Sequence, residues 1–409
     1  MTLEIRTLEP DQWDRWFTQL ELAFGGVRES PQEREFDRSV TEFPRSLGVW
    51  DGETVAGTAG AFSFRMAVPG GALVPTAGVT MVSVAPTHRR RGILTSMMRR
   101  QLADIRALGE PLAALTASEP AIYGRFGYGI ATQQLDASVE SHRVRLDVPP
   151  GTDDVRLRLV DPKEALGRCE ELYQRLVPLR PGMIARSEGW AAMALLDPPE
   201  DRDGASPLQC LLAEREGELV GYARFRTKPE WDDSGPRGTV TVRQLDAVDG
   251  AAEAAMVRHF LSMDLMAKVA FRNRPVDDAW QHQVSDIRRC GLRMRDSLHL
   301  RPVDVGAALE ARTYRTPVDV VFDVSDPFCP WNEGRWRLTG DSVGASCKRT
   351  EDAADLALSV RELGAAYLGG FTLAALAAAG RVRELRPGSL AAVSLAFGSD
   401  LAPWLPHGF

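Results

Sequence analysis

A mixed α/β chain is predicted, with two diverged copies of one unit followed by a different third block, and two repeated patterns predict it. The first pattern is strand, tight turn, strand. It runs from Leu47 to Trp50, through Asp51-Gly52-Glu53, then from Val55 to Phe64, and it recurs as Leu211 to Glu214, Glu216-Gly217-Glu218 and Leu219 to Phe225. A turn of acidic residues and glycine between apolar runs is a hairpin signal. The second pattern is a glycine-led β-rich run with an apolar helical stretch downstream. Gly78-Val79-Thr80-Met81-Val82 precedes Ile93 to Leu108, and Gly238-Thr239-Val240-Thr241-Val242 precedes Ala251 to Met266. In the first of these stretches Ile93, Met97, Met98, Leu102, Ile105 and Leu108 recur near the helical period.

The chain has 409 residues, too many for one core, and length alone suggests roughly two to four domains. The first block, residues 1–150, closes on the turn-forming Pro149-Pro150-Gly151. The second spans 151–297 and the third 298–409, opening with Leu298-His299-Leu300-Arg301-Pro302. In the third, Val318 to Val324, Trp336 to Leu338 and Leu356 to Val360 have strand character, and the alanine-rich Leu373 to Val382 is expected to be helical. No catalytic cluster is visible there.

Composition narrows the function. With 44% hydrophobic and 26% charged residues the chain is an ordinary globular protein. Its net charge of −7 provides no basic field to recruit nucleic acid or an anionic membrane, and it tolerates a cationic substrate. Cys169, Cys210, Cys290, Cys329 and Cys347 are scattered, and the histidines are unpaired in spacing, so neither a disulfide framework nor a metal site is expected. The start, Met1-Thr2-Leu3-Glu4-Ile5-Arg6, has no basic region leading into an apolar run. A cytoplasmic protein without a signal peptide or spanning segment is therefore expected.

The two copies differ where strand passes to helix. The first has His88-Arg89-Arg90-Arg91-Gly92, and the second has Val248-Asp249-Gly250-Ala251-Ala252-Glu253. Three arginines in a row are ordinarily a solvated charge run. Here they stand between a β-rich run and a long amphipathic helix. Free N–H groups at a helix N-terminus bind phosphate, and a glycine lets the backbone approach it closely. Thr95 could add a hydroxyl, and the strand around Val82, Ser83 and Val84 could offer main-chain groups to an amide-rich ligand arm. An anionic ligand would be drawn to the first copy and repelled from the second.

Farther on lies Ala117-Ser118-Glu119-Pro120-Ala121-Ile122-Tyr123-Gly124-Arg125-Phe126-Gly127-Tyr128-Gly129. A strand leads into Ser118-Glu119, and a short helical turn ends in glycines. Tyr123 and Tyr128 are both candidate proton donors. Either could equally be a packing residue whose hydroxyl is hydrogen-bonded.

Val84-Ala85-Pro86-Thr87-His88-Arg89-Arg90-Arg91-Gly92, Ala117-Ser118-Glu119 and Ile122-Tyr123-Gly124-Arg125-Phe126-Gly127-Tyr128-Gly129 resemble the enhanced-intracellular-survival (Eis) family of GNAT-type N-acetyltransferases. Pro75-Thr76-Ala77-Gly78, Ala307-Ala308-Leu309-Glu310-Ala311-Arg312, Tyr367-Leu368-Gly369 and the ending from Ala396 to Phe409 extend the likeness along nearly the whole chain. The resemblance implies an α/β (α+β) architecture: a catalytic GNAT domain, a degenerate GNAT-like domain and a sterol-carrier-protein-like domain. It implies acetyl-CoA as donor, with aminoglycosides, other small amines or protein lysines as acceptors, and homohexamer assembly. Carried over by residue, cofactor contacts fall on Val82, Ser83, Val84, Arg90, Arg91, Gly92, Ile93, Leu94, Thr95, Ser118 and Glu119. Tyr123 takes the place of the general acid, and the terminal α-carboxylate of Phe409 that of the base.

Two departures stand out. The wider GNAT pattern is Arg or Gln, two residues, Gly, one residue, then Gly or Ala; here Arg89, Gly92 and the bulkier Leu94 fill it. Gly408 stands where the family has an acidic residue, which removes a negative charge near the amine. An α-carboxyl, with an ordinary pKa of about 3.5, is a weak base unless burial or a relay water assists it. The apolar, two-proline ending Leu401-Ala402-Pro403-Trp404-Leu405-Pro406-His407-Gly408-Phe409 suits a docked tail rather than a frayed one. His88 and His407 lie beside these elements and are given no role. Glu29, Glu33 or Glu35 could attract a polyamine. A non-catalytic lipid-binding scaffold built on the third block is the alternative function.

Overall fold

Acidic residues and glycine make the two hairpins. In the computed structural model, which describes residues 3–187 and 189–409, Leu47–Asp51 pairs with Thr54–Ala67 around Gly52, whose φ is +62°. In the second copy Gln209–Arg215 pairs with Glu218–Lys228, with both Glu216 and Gly217 at positive φ. Left-handed turn residues match the natural twist of paired strands, so the chain reverses within two residues. Both helices follow as expected, with one difference. The first spans Ile93–Ala107 and buries Ile93, Met97, Met98, Leu102 and Ile105. The second spans Gly250–Leu261 and stops short of Met266, because Met266–Arg274 is already a strand.

The sheets cross the expected boundaries at 150 and 297. The first sheet runs in the order Glu4–Thr7, Leu47–Asp51, Thr54–Ala67, Leu73–Val84, Leu112–Thr116, Leu298–Pro302, Gly129–Ile130. The strand that opens the third block thus completes the first sheet, pairing antiparallel with Leu112–Thr116 (Leu300 opposite Ala114). Gln133–Glu140, for its part, leaves the first block and pairs with Met266–Arg274 in the second sheet (Val139 opposite Val269). The third block lends the first a strand and the first lends the second one, so neither sheet is complete within its own stretch of sequence.

The third block carries its own sheet, ordered Ala345–Arg349, Gly334–Gly340, Val318–Ser325, Leu356–Ser359, Val382–Glu384. The alanine-rich run is helical only over Leu373–Ala378. Gly380 turns it at φ +73°, and Val382 buries its side chain as a strand residue. Val320, Phe322, Leu338, Leu356, Leu363 and Phe397 share one continuous core with Phe62, Phe64 and Leu300. At Gly364 a Cβ would lie 2.3 Å from the Leu300 carbonyl oxygen, so the helix Val360–Ala366 sits directly against the borrowed strand. Among the described residues no helix is long and apolar enough to cross a membrane.

Candidate active site

Strands that part create the cleft. Leu73–Val84 and Leu112–Thr116 run parallel and pair from Thr76 to Gly78 against Leu112 to Ala114. Beyond Gly78 the register continues only on the other side, against Thr54–Ala67. There it slips: Gly60 faces Thr80 and Thr58 faces Ser83, so Met81 and Val82 together oppose Ala59. This is a β-bulge, with Met81 at φ +52°. The Thr58 hydroxyl lies 2.7 Å from the Met81 carbonyl oxygen and 2.7 Å from the Ser83 hydroxyl, all on the inner side of the sheet. The bulge interrupts the ladder here, and Val82, Ser83 and Val84 line the opening.

The chain then turns into the helix. His88 anchors the turn, with Nε2 3.3 Å from the Asp51 carboxylate and Nδ1 2.8 Å from the Thr87 hydroxyl. Arg90 and Gly92 both take left-handed backbone, at φ +63° and +80°. No side chain caps Ile93–Ala107, so its first N–H groups have no side-chain acceptor. A Cβ on Gly92 would meet nothing within 4 Å. An uncapped, positively polarised helix end with open space before it and arginines beside it suits a diphosphate.

A cleft of about 1130 Å³ extends from this point. It brings together Val82, Ser83, Val84, Arg90, Gly92, Ile93, Leu94, Thr95, Ser118, Glu119, Tyr123 and Phe409. Arg91 is left out: it is exposed and off the cleft wall, while Arg89 and Arg90 line it. The left-handed Arg90 sends successive side chains in different directions, which the sequence run does not reveal.

The structure separates the two tyrosines. Both sit on or after the 3-10 turn Pro120–Phe126, which ends at Gly127 with φ +85°. Tyr123 is half-buried on the cleft wall; burial first, and then nearby Glu119, push its phenol above the ordinary value, so it keeps its proton at neutral pH. Tyr128 is fully buried, 6.1 Å from Tyr123 between ring centroids, and packs in the core beneath. The turn is held from below. Arg301, on the borrowed strand, donates to the Phe126 carbonyl and pairs with Asp326 of the third block at 2.7 Å, both side chains essentially without exposure. A Cβ at Gly127 would fall 1.6 Å from the Arg301 guanidinium. Removing one partner of a buried pair strands the other charge, so Asp326→Ala should destabilise the protein by about 3–5 kcal/mol, measured by chemical denaturation.

The far wall is acidic and aromatic. Glu21, Glu29, Glu33 and Asp37 line it with Phe24, Phe36, Trp190 and Met193. Glu35 does not, being exposed on the other face of the helix Pro31–Val40. Glu33 and Asp37 are four residues apart on that helix, the spacing that puts side chains on one face, and that spacing could have selected Asp37 over Glu35; Glu29 lies just before the Ser30 cap. Asp37 is pushed up to about 8 by burial first and then by its hydrogen bond to Glu29, which is itself raised by burial. Trp190 and Met193 come from the second block and carried no signal in the sequence.

The final residues reach the cleft by crossing the second domain. Trp404 donates from its indole to the Asn273 carbonyl (3.1 Å) and from its backbone to Pro181 (2.9 Å), and Asn273 donates to Leu405 (3.1 Å). Arg180 holds the Ala402 carbonyl at 2.7 Å. Phe409 then lies edge-on to Phe64, centroids 5.0 Å apart.

In the second copy the same position is filled by the protein itself. Asp249 caps the helix Gly250–Leu261, accepting from the Ala252 N–H at 2.9 Å, and pairs with Arg215. Where the strands Gly238–Ala247 and Met266–Arg274 part, the buried Arg274 guanidinium reaches across to the Leu245 carbonyl and to Asp278. Counted back from the strand ends, where Gly57 faces Val84 and Gly221 faces Ala247, Leu245 corresponds to Val82.

Comparison with known proteins matches these parts in order. Models of acetyltransferase (GNAT) domains match residues 4–131 and 182–302, and a sterol carrier protein domain model matches 305–406. The N-acetyltransferase Eis of Mycobacterium bovis is 36% identical over 368 residues, covering 87% of this chain and 86% of the relative. The chain belongs to the Eis family of N-acetyltransferases. An uncharacterized N-acetyltransferase of Streptomyces avermitilis is 66% identical over the whole of both chains. The crystal structure of Eis1 from Mycobacterium abscessus superposes with a TM-score of 0.85, at 33% identity and full coverage of both. This Eis-family protein is an acyltransferase with tandem GNAT domains and a sterol-carrier-like domain. Its GNAT fold implies acetyl-CoA as co-substrate. The uncapped helix end, the bulged strand and the open Gly92 fit such a donor.

Proposed function

We propose that the cleft acetylates a primary amine carried by a cationic small molecule, of polyamine or aminoglycoside type, or by a lysine side chain. The single observation that carries this reading is that one cleft joins an uncapped helix end, Tyr123, Phe409 and a wall of four acidic side chains. Main-chain groups of Val82, Ser83 and Val84 hold the amide-rich arm of the donor. Arg90 and the residues from Gly92 to Thr95 hold its diphosphate, with Ser118 and Glu119 at the rim. Arg91 adds only long-range positive charge from outside the wall.

Acetyl-CoA supplies the activated acetyl carbonyl. Tyr123 holds a proton for the departing sulfur, and its raised pKa keeps that proton in place until a thiolate develops. The Phe409 α-carboxylate takes up the amine proton. Glu29 and Glu33 hold the acceptor's other cationic groups, which restores part of the charge missing at Gly408, while Asp37 keeps its proton at neutral pH and hydrogen-bonds to Glu29. The same family likeness carries a homohexamer in the cytoplasm, which light scattering and cell fractionation test.

A thiol-release assay with acetyl-CoA and a panel of amines tests the function. Turnover on polycationic amines is expected, with much less on neutral or anionic ones; no turnover on any amine overturns it. The acidic wall has its own signature. A carboxyl with a raised folded pKa is stabilising below its unfolded value, near 3.8 for Asp37, and that stability is lost as pH climbs to about 8. Asp37→Asn should therefore melt higher than the parent at pH 9 and no higher at pH 4. Relief of each kcal/mol of strain corresponds to roughly 2–4 °C in a domain of this size. The same variant should raise KM for a polyamine above about pH 8, where Asp37 is ionised in the parent, and leave it unchanged at pH 6.

A further inference from the structure

We propose that Arg186, from the second GNAT-like domain, is a positioning residue for acetyl transfer in the first: it holds His407 in a single neutral tautomer and so fixes where Gly408 and Phe409 lie in the cleft. This rests on the reading of Phe409 given above. The guanidinium is almost completely buried, stacks 3.7 Å above the Tyr173 ring and pairs through NH1 with Glu170 at 2.6 Å. Glu170 and Tyr173 are three residues apart on the helix Pro162–Leu176, on neighbouring positions of one face. Its Nε–H donates to His407 Nε2, 3.2 Å away, and the Tyr173 hydroxyl lies 3.4 Å from the same ring nitrogen.

A ring nitrogen that accepts from a guanidinium carries no hydrogen of its own. The imidazole proton is therefore on Nδ1, 3.1 Å from the Gly408 carbonyl oxygen, to which it donates. Burial first, and the positive charge of Arg186 second, push His407 down to about 3, so this arrangement persists through the physiological range. Among the described residues the titratable and charged groups at this corner are Arg186, Glu170, Tyr173, Tyr222 and Asp246, with the terminal carboxylate of Phe409 two residues beyond His407. Tyr173 is itself fixed by donating to the Ile184 carbonyl at 2.8 Å.

The brace continues into the cleft. His407 lies along Trp190 at 23° between ring planes, and Trp190 meets Phe62 and Phe64 edge-on at 4.8 and 5.1 Å. Phe64 in turn holds the Phe409 ring. The last three residues are thus gripped at both ends, His407 by the second domain and Phe409 by the first. A carboxylate at the end of a flexible glycine would otherwise sample many positions, and sub-ångström placement matters for proton transfer. A domain whose own cleft is plugged by Arg274 acts here as the bracket for its neighbour's reacting end.

Kinetics of Arg186→Met, His407→Leu and His407→Gln in the full-length protein test this. Arg186→Met and His407→Leu should each lower kcat about 10–100-fold, the loss expected when an oriented group is misplaced. KM for acetyl-CoA should stay within about twofold, because the diphosphate end is untouched. His407→Gln offers an acceptor to Arg186 and a donor to Gly408, so it should recover most of the rate. The double variant Arg186→Met/His407→Leu should be no slower than the worse single one, since both break one chain of contacts. In Arg186→Met the freed imidazole should add a new ionisation to the acid limb of the pH–rate profile.

The proposal is overturned if either single variant changes kcat less than twofold, if the two losses simply add, or if His407→Gln is as slow as His407→Leu. The two histidine variants decide the matter alone should Arg186→Met fail to fold. Removal of Phe409 separates this proposal from the reading it rests on. Full activity without Phe409 defeats the carboxylate role itself, whereas a dead truncation beside a normal Arg186→Met defeats only the positioning role.

Discussion

Replacing Tyr123 by phenylalanine should lower kcat for acetyl transfer by about 10²–10⁴-fold, the range general acids contribute. Affinity for acetyl-CoA should remain within about twofold, since the substitution spares every group that holds the donor. The ring stays, with its packing against Ile122 and Tyr128 in the cluster beneath the cleft. Only the hydroxyl is lost. It is half-buried and shielded, its proton is held firmly, and Tyr128 cannot replace it because that side chain is sealed in the core. Steady-state rates with calorimetry of acetyl-CoA binding check both halves. A kcat within threefold of the parent would remove Tyr123 from the reaction and leave the thiolate to be protonated by water.

Gly92→Asp should weaken acetyl-CoA binding by about 10–100-fold, because it copies into the first domain what has closed the second. Asp249 shows the effect: a carboxylate at the helix start takes the free N–H groups for itself and sets a negative charge where a diphosphate would lie. Charged hydrogen bonds are worth about 1.5–3 kcal/mol each, and each 1.4 kcal/mol is tenfold in affinity. Gly92 has open space around it and a left-handed backbone that aspartate and asparagine tolerate better than most side chains. The fold should therefore survive. Gly92→Asn, similar in shape without the charge, separates strain from electrostatics. If both variants bind equally well, the helix end does not hold the donor.

Much of this fold and site is written in local sequence pattern. The hairpins around Gly52 and Gly217, the helix from Ile93 and the basic turn are short-range features, and each is written in adjacent residues. The cleft likewise gathers most of the residues that the family likeness marks, from Val82 to Tyr123. What stayed hidden depends on distant partners. Nothing in Leu298 to Pro302 says that the strand belongs beside Ala114, because β-pairing is decided by the whole sheet. Tyr123 and Tyr128 look alike until Gly127 and Arg301 fix which one faces the cleft. Arg91 is distinguished from Arg90 only by backbone handedness. Arg274 and Arg186 are ordinary arginines in sequence, and only three-dimensional proximity makes one a plug and the other a brace.

The borrowed strand has a consequence for how the protein is made. Its partner Leu112–Thr116 leaves the ribosome long before Leu298–Pro302 does. At typical elongation rates that interval is on the order of ten seconds. Throughout it the nascent catalytic sheet has a bare flank, the kind of surface that invites foreign strands. The turn bearing Tyr123 also waits for Arg301. A fragment cut at residue 150 should accordingly be insoluble rather than a minimal enzyme, and holding chaperones should be needed most while the middle of the message is being read.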